Sequence, residues 1–290
     1  MSPQRPEDLQ RLIDESGGGW TAGHTTVSEL SPEEQKLRLG AELIPPDEVE
    51  AAAAPQRHVR AATAAYPTSF DWRDVGGKNF ITPVRDQKTC GSCVAFGSLA
   101  AVEGTYQVQK NDPNSGIDLS EAQMFYCYAA GEGQNCAKGW STGKAFPYLK
   151  DKGVTTEEYF PYTPGDQACS PKQGWEKHLN FAKDTRTSTT PSEMKEWIAT
   201  RGPVTARFNV YEDFYLYESG VYHHVTGEKK GGHCVCIVGY HDDTDAKNQY
   251  WIVKNSWGPG WAKEKGFFRI GYGECGIDAQ MWLVNGVSTG

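Results

Sequence analysis

Two cysteines separated only by Gly-Ser, in the stretch KTCGSCVAF (residues 88–96), constrain this chain more than any other feature of its sequence. Either Cys90 and Cys93 form a structural pair, or Cys90 belongs to a disulfide bond and Cys93 is a free nucleophile. Small and apolar residues continue to Gln109 and predict a buried helix that begins beside Ser92. A cysteine at that position would face unpaired backbone N–H groups and the positive end of the helix dipole, which favour its thiolate.

Charge and composition argue against several functions. The chain has 290 residues, 29 basic and 37 acidic side chains and a net charge of -8, without a basic run that would bind phosphates, so we expect no nucleic-acid partner. No apolar stretch reaches about 18 residues, and the N-terminus lacks a signal-peptide pattern, so we expect no membrane association. The 8 cysteines are nevertheless typical of proteins from an oxidising compartment.

The chain has two parts of different character. Residues 1–65 contain no cysteine and end in an alanine-rich stretch, whereas residues 66–290 are richer in aromatic residues and contain every cysteine. We therefore predict an N-terminal segment with a linker over 1–65 and a larger domain over 66–290. In the segment, Ser31 and Glu34 have the spacing of a capping box, which predicts one short helix that ends at Gly40.

The larger domain contains two kinds of apolar pattern. Helices are predicted after Cys93, after Ser120 and after Pro191. The C-terminal part instead contains short β-branched and aromatic stretches bounded by glycine and aspartate, which indicate strands of an antiparallel sheet or barrel: PVTARFNV, CVCIVGY, YWIVKNSW and FFRIGYG. The predicted fold class is therefore α+β.

A nucleophilic Cys93 needs a partner, because a free thiol with a pKa of about 8.5 is almost fully protonated in acid. His233, at the start of the predicted strand in GGHCVCIVGY, is the candidate base. Asn255, in KNSWG on the next predicted strand, can orient the imidazole through an uncharged amide. Each residue also has an ordinary interpretation, as a buried or disulfide-bonded cysteine, a core histidine and a turn amide.

Together these motifs resemble the papain-like cysteine peptidases. The residues that carry the likeness are Gln87, Cys90-Gly91-Ser92-Cys93, His233 and Asn255-Ser256-Trp257-Gly258, supported by YPTSFDWR, LSEAQMFYC and ECGI. The resemblance implies a helical lobe over about 75–180, a β-barrel lobe over about 181–290 and a cleft between them. It also implies hydrolysis of protein or peptide substrates through an acyl-enzyme thioester, without a metal or an organic cofactor.

The resemblance assigns a role to each residue of the site. Cys93 is the nucleophile, His233 is its general base and then its acid, and Asn255 orients the imidazole ring. Gln87 contributes a side-chain N–H to the oxyanion hole, together with the backbone N–H of Cys93. Trp257 covers the hydrogen bond between the histidine and the asparagine and keeps water away from it.

The resemblance also implies how the cysteines are used. Two disulfide bonds are expected, Cys90 with Cys136 and Cys127 with Cys169. The remaining cysteines apart from the nucleophile are expected to be reduced and mostly buried: Cys234, Cys236 and Cys275. Such bridges stabilise a secreted domain, or one from an acidic vesicular or lysosome-like compartment, which we expect to be a monomer.

Several substrate-pocket residues follow from the same likeness. Cys-Ala-Lys-Gly replaces the usual Cys-Asn-Gly-Gly turn, so Gly139 would hold substrate backbone and Lys138 would alter the S2 and S3 preferences. Trp257 and Trp261 would line the primed side of the cleft. Gln280 would form the floor of the S2 pocket, where a neutral amide predicts tolerance of apolar or polar side chains.

Two further departures concern the neighbours of the catalytic pair. Val94 follows the nucleophile where the family usually has tryptophan, and Gly232 precedes the histidine where many members have aspartate. Adjacent histidines at His223 and His224 suggest a metal site, but without ligand partners at the required spacing we predict surface hairpin residues.

The N-terminal segment resembles the short propeptide of the cathepsin B branch, through GWTAGHTTVSEL and KLRLGAEL. A single short helix excludes the long helical propeptide of the cathepsin L branch. The chain is thus predicted to be a zymogen inhibited by its own segment, with Trp20 as an anchor and acid-favoured cleavage between residues 51 and 65. Because a two-histidine occluding loop is missing, endopeptidase action is expected. The alternatives are a catalytically silent binding protein and a peptide ligase.

Overall fold

The computed structural model describes residues 5–54 and 65–290. Its α-helices are α1 (Pro6–Glu15), α2 (Pro32–Lys36), α3 (Pro46–Ala52), α4 (Cys93–Lys110), α5 (Thr142–Asp151) and α6 (Pro191–Thr200). Its strands are β1 (Trp20–Ala22), β2 (Ser69–Asp71), β3 (Asn180–Ala182), β4 (Thr185–Ser188), β5 (Val204–Tyr211), β6 (Tyr217–Tyr222), β7 (Lys229–His241), β8 (Tyr250–Lys254), β9 (Phe267–Gly271), β10 (Met281–Val284) and β11 (Val287–Thr289).

Two hydrophobic cores divide the molecule into two lobes. One core surrounds the sheet and contains Phe208, Phe214, Trp251 and Phe268. The other surrounds α4, and its members include Val94, Leu99, Phe125 and Phe146. The predicted α+β class with two lobes is therefore confirmed. Val94, at the position where a tryptophan was expected, is fully buried in the second core.

A single large sheet organises the C-terminal lobe. Within the described ranges it joins 9 strands in the order β1-β6-β9-β8-β7-β5-β10-β4, with β2 paired to β7. The pairs are antiparallel except for β6 with β9, which is parallel. Phe208 of β5 lies opposite His233 of β7, and Lys254 of β8 lies opposite Cys236. Asn255 directly follows β8 and therefore comes close to His233.

Helix α4 begins at Cys93, as predicted, and lies against β7. Its interior glycines allow a close approach: a Cβ on Gly97 would lie 2.9 Å from the sulfur of Cys234, and one on Gly104 would lie 2.4 Å from Cγ of Pro203. The two glycines weaken the isolated helix by about 1 kcal/mol each. In return the helix places Cys93 directly beside the strand that carries the histidine.

The other two predicted helices of the main domain are also present. Ser120 Oγ accepts a hydrogen bond from the N–H of Gln123 at 2.9 Å, as expected for a cap. The turns that follow, Gln123–Ala129, are π-helical. Helix α6 begins at Pro191, but the preceding Thr190 forms no side-chain cap.

The prediction of one short helix in the N-terminal segment was wrong, since residues 5–54 contain α1, α2 and α3. The helical spacing of Leu9 and Ile13, both fully buried, gives α1 one apolar face. The Ser31 capping box is present at the start of α2. This helix ends at Lys36 and not at Gly40, because the following residues leave the helix and enter the cleft.

Strand β1 attaches the segment to the sheet. It pairs with β6, and Trp20 lies 4% exposed with its indole N–H donating to the carbonyl of His223 at 3.0 Å. Its ring stacks on Tyr217 and meets Tyr222 edge to face. Most of the stretch predicted to be cleaved, residues 51–65, lies outside the described residues. Among the helices described, none is long and apolar enough to cross a membrane.

Candidate active site

The thiol of Cys93 lies at the first residue of α4 and is fully buried. Burial raises its pKa to about 12. Backbone N–H groups of Cys234 and Gly40 face the sulfur and act in the opposite direction, by favouring the thiolate. In this form of the chain the thiol is therefore protonated, and a residue of the N-terminal segment lies directly over it.

The imidazole of His233 is oriented by Asn255. His233 Nε2 lies 2.8 Å from Asn255 Oδ1, which also accepts the N–H of Ser256 at 2.8 Å. Because that amide oxygen can only accept, Nε2 carries the proton, and the lone pair of the neutral ring is at Nδ1. Nδ1 is buried without a hydrogen-bond partner among the described residues. A buried, unpaired basic nitrogen on a residue of β7, the strand against which α4 packs, is the group that a proton-donating thiol requires.

The environment keeps His233 uncharged. Burial lowers its pKa to about 4, the hydrogen bond that Nε2–H donates to Asn255 raises it, and the charge of Arg38 lowers it further. The ring of Trp257 lies 4.8 Å from the imidazole centroid, and the tryptophan is 1% exposed. It therefore lies against the buried histidine.

Gln87 is fully buried, and both ends of its amide have partners. Its Oε1 accepts a hydrogen bond from Ser256 Oγ at 2.7 Å, which fixes the orientation of the amide. Its Nε2 therefore donates, to the carbonyl of Cys90 at 2.8 Å and to the carbonyl of Arg38 at 3.2 Å. A donor of this kind next to a nucleophile can stabilise an oxyanion. Here it binds a carbonyl of the N-terminal segment.

The N-terminal segment passes through the cleft and hydrogen-bonds to both lobes. The N–H groups of Gly40 and Ala41 donate to the carbonyl of Gly232, each at 3.1 Å. The carbonyl of Gly40 accepts from Trp140 at 2.7 Å. Ile44 exchanges two hydrogen bonds of 3.0 Å with the side chain of Asn209. These are backbone contacts of the type that an extended peptide forms.

Three glycines meet at the narrowest point of the cleft. A Cβ on Gly40 would lie 2.0 Å from the carbonyl oxygen of Gly91. A Cβ on Gly139, which has a φ of +71°, would lie 1.9 Å from the carbonyl oxygen of Gly40. The predicted position of Gly139 against bound backbone thus agrees with the geometry, and the segment fits there only because it presents a glycine.

The other residues predicted for the substrate pockets are more dispersed. Lys138 is exposed, and its Nζ donates to the carbonyl of Gly133 at 3.0 Å. Trp261 has no exposed surface and packs against Trp257 in the sheet core. Gln280 borders a pocket that it shares with Arg207 and with residues of α3.

The cysteines are arranged as expected. Within the described residues, disulfide bonds join Cys90 to Cys136 and Cys127 to Cys169. The free cysteines other than Cys93 are all buried: Cys234, Cys236 and Cys275. Burial raises the pKa of each of their thiols, to about 12 in Cys236.

The adjacent histidines have carboxylate partners that the sequence did not indicate. His223 Nδ1 lies 3.0 Å from Glu274, and His224 Nδ1 lies 3.1 Å from Asp213. Each ring faces a different carboxylate, 51 residues away in sequence for His223 and 11 for His224. In the two described ranges, no three His, Cys, Asp or Glu side chains are grouped so that they could hold a metal ion.

Sequence reasoning missed Arg207, a buried cation at the side of the cleft. The signal was present in PVTARFNV, where one arginine interrupts an otherwise apolar and weakly polar strand. Its side chain is only 10% exposed and lies near Glu42 of the N-terminal segment. The contact joins residues far apart in sequence, so local patterns could not have indicated it.

Known proteins share this combination of fold and site. The family described as papain family cysteine protease matches residues 66–284. A cathepsin L-like proteinase from Fasciola hepatica is 34% identical over 266 residues, covering 89% of this chain and 76% of the relative. A cathepsin B-like CP3 from Giardia intestinalis is 38% identical over 241 residues, covering 79% of this chain and 77% of the relative.

A solved structure extends the likeness to the N-terminal segment. Digestive procathepsin L2 proteinase from the larval midgut of Tenebrio molitor is similar with a TM-score of 0.77 and 28% identity, covering 97% of this chain and 88% of that one. Both the sequence match from residue 66 onward and the full-length structural likeness therefore lead to one assignment. This chain belongs to the papain family of cysteine proteases.

Proposed function

We propose that the chain is the inactive precursor of a cysteine endopeptidase, with the N-terminal segment over 1–65 and the peptidase domain over 66–290. One observation carries the proposal: Gln87 Nε2 binds the Arg38 carbonyl at 3.2 Å beside Cys93. This is the contact that a substrate carbonyl would make. The segment thus occupies the position of a substrate and acts as an intramolecular inhibitor.

The chemistry follows from the atoms around the thiol. Cys93 gives its proton to Nδ1 of His233, and the sulfur attacks the carbonyl carbon of the scissile peptide bond. The resulting oxyanion accepts hydrogen bonds from Gln87 Nε2 and from the backbone N–H of the cysteine. The imidazolium then protonates the leaving amine, which departs and leaves a thioester. His233 next takes a proton from water while the water oxygen adds to the thioester carbonyl carbon. The C–S bond then breaks, the acid is released, and the imidazolium returns its proton to the sulfur.

Asn255 keeps the proton transfer directional. Its amide oxygen accepts a hydrogen bond from Nε2–H in both the neutral and the charged form of His233. Because asparagine carries no charge, the ring can gain and lose the second proton at Nδ1 without a strong preference for either state. Trp257 excludes water that would compete for this hydrogen bond.

The precursor is inactive for two reasons. The segment blocks the cleft, and burial raises the pKa of Cys93 to about 12 and lowers that of His233 to about 4. Both groups are therefore neutral when the segment is bound. Departure of the segment readmits water and removes the charge of Arg38, and each change favours the ion pair.

Endopeptidase action rests on the absence of an occluding loop in the sequence that follows Gly153. Activation requires cleavage between residues 51 and 65. The enzyme would act as a monomer on proteins or peptides, in the extracellular space or in an acidic vesicular or lysosome-like compartment, without a nucleic acid or a membrane as partner.

The test is to incubate the full chain at pH 4.5 with mild reductant and a quenched dipeptidyl amide, beside Cys93→Ser. We expect fluorescence to appear together with loss of about 65 N-terminal residues, and neither in the variant. Silence of both chains after an added protease has removed the segment would favour the binding protein. Transfer of the acyl group to an added peptide amine, in preference to water, would favour the ligase.

A further inference from the structure

A carboxylate of the N-terminal segment occupies a polar pocket beside the active site. Glu42 Oε2 accepts a hydrogen bond from the N–H of Thr142 at 2.9 Å and lies 3.4 Å from the hydroxyl of the same residue. Its Oε1 lies 3.4 Å from Ser141 Oγ and 3.5 Å from a terminal nitrogen of Arg207. Thr142 begins α5 in the helical lobe, and Arg207 is in β5 of the sheet lobe. The pocket therefore holds an anion between the two lobes.

Arg207 forms the charged wall of this pocket. It lies opposite Cys234 in the β5–β7 register, and its side chain is 10% exposed. Besides the carboxylate of Glu42, its guanidinium donates to the carbonyls of Glu42 and Leu43 at 3.3 and 3.2 Å, and it lies 3.8 Å from Glu48. Its Nε has no hydrogen-bond partner within the described ranges.

These hydrogen-bond and ion-pair partners of Arg207, as far as the chain is described, all belong to the N-terminal segment. If the segment leaves on activation, which rests on the function proposed above, the guanidinium keeps its donors and loses its acceptors. The ring of Trp282 remains, with its centroid 5.7 Å from the guanidinium carbon, but it supplies no charged acceptor. A cation without an acceptor in a partly buried pocket is unfavourable, and a carboxylate is its best replacement partner. Arg207 also borders an adjoining pocket, and the residues of that pocket that would remain after the segment leaves are neutral: Thr189, Ala279 and Gln280.

We propose that, in the processed enzyme, this pocket binds the carboxylate of an aspartate or glutamate side chain of the substrate. The acidic residue is placed at P2, the second residue before the scissile bond, because Arg207 also borders the adjoining pocket of Gln280, the residue that the resemblance assigns to S2. The substrate carboxylate takes the place of Glu42, between the N–H of Thr142 and the guanidinium of Arg207. The exposed Lys138, directed at Gly133, takes no part.

The test compares three peptides that differ only at P2, which is glutamate, glutamine or leucine. The full chain is used after it has processed itself, or after an added protease has removed the segment. The assay is run at pH 6, because a glutamate side chain with a pKa of about 4.3 is ionised there. We expect kcat/KM for the glutamate peptide to exceed that for the glutamine peptide about tenfold, the range of one charge-assisted hydrogen bond.

Arg207→Gln should reduce this ratio of the glutamate to the glutamine peptide to about one, whatever its effect on the absolute rates. Arg186→Gln is the matched control, since Arg186 is an exposed arginine that pairs with Glu193 on the surface. It should keep the full preference. Arg207→Glu should reverse the selection, in favour of a P2 lysine.

Each other outcome is also decisive. Equal cleavage of the glutamate and glutamine peptides by the wild type, with the leucine peptide cleaved, would overturn this inference and leave the peptidase function intact. Cleavage of none of the three peptides would overturn both. If Arg207→Gln does not fold, the wild type still decides: the preference for glutamate should fall as salt is added, and a preference that is insensitive to salt would contradict an ionic pocket.

Discussion

Replacing Gly40 by alanine should open the cleft of the precursor. The new Cβ would lie 2.0 Å from the carbonyl oxygen of Gly91 and 2.5 Å from its carbonyl carbon, whereas ordinary contacts begin at 3.4 Å. The opposite backbone has little freedom to move, because Gly91 follows a disulfide-bonded cysteine and donates its N–H to Cys136 at 2.8 Å. The segment must therefore retreat by more than about 1 Å, since cores pack without spare space.

The free-energy cost of this clash can be converted into the population of the open form, in which the segment has left the cleft. Inserting a methyl group into a well-packed contact typically costs about 1–3 kcal/mol. This strain exists only while the segment lies in the cleft, so it is subtracted from the free energy of docking. Since about 1.4 kcal/mol is a tenfold change in an equilibrium constant, the open population should rise roughly 5- to 150-fold.

The assay measures how fast a small alkylating reagent labels Cys93 in the full chain at pH 7. Labelling requires the open form, so its rate follows the open population. The other free cysteines are buried and report any global unfolding: Cys234, Cys236 and Cys275. Gly131→Ala is the control, because a Cβ there meets no atom within 4 Å. An unchanged rate in Gly40→Ala would refute the view that this contact limits docking of the segment.

Three further outcomes are expected. Asn255→Ala should lower kcat about 100-fold with little change in KM, because the imidazole loses its orientation and not its substrate contacts; an unaltered kcat would contradict the assigned role. Replacing Cys127 and Cys169 by serine should lower the free energy of unfolding by about 4 kcal/mol, measured by denaturant titration, with cleavage activity retained at 25 °C. The lowered pKa of His233, about 4 against an ordinary 6.5, means that the closed form binds fewer protons than the open form. The closed form should thus be most stable above pH 6.5 and lose up to about 3 kcal/mol of stability as the pH falls to 4. An added protease should therefore remove the segment from Cys93→Ser faster in acid. A removal rate that does not change with pH would exclude this histidine as a contributor.

Much of the fold was predictable because its signals are local. The start of α4 at Cys93 follows from the small residues after it, and the start of α2 follows from the reciprocal hydrogen bonds of Ser31 and Glu34. The end of α2 was not predictable in this way. Gly40 is well suited to end a helix, but its N–H and carbonyl are used across the cleft, and this non-local pairing determines the local conformation.

The residues of the candidate site likewise differ in whether a local sequence signal indicates them. Cys93, His233 and Asn255 could be selected from the sequence because the chemistry of a thiol needs a base and the base needs an orienting group. Arg207 could not, since its significance depends on Glu42, which lies 165 residues earlier in the chain. Lys138 was selected instead because it is close in sequence to a motif, and its exposed side chain donates to Gly133.

Ser256 binds both side-chain amides of the candidate site. Its backbone N–H fixes the amide that aligns the imidazole, its hydroxyl fixes the amide of Gln87, and its carbonyl accepts the N–H of Gln87 at 2.9 Å. Through this one residue the loop before α4 is bound to the end of β8, so the orientations of the imidazole and of the Gln87 amide depend on the same side chain and backbone. A substitution at Ser256 would therefore disturb both orientations at once.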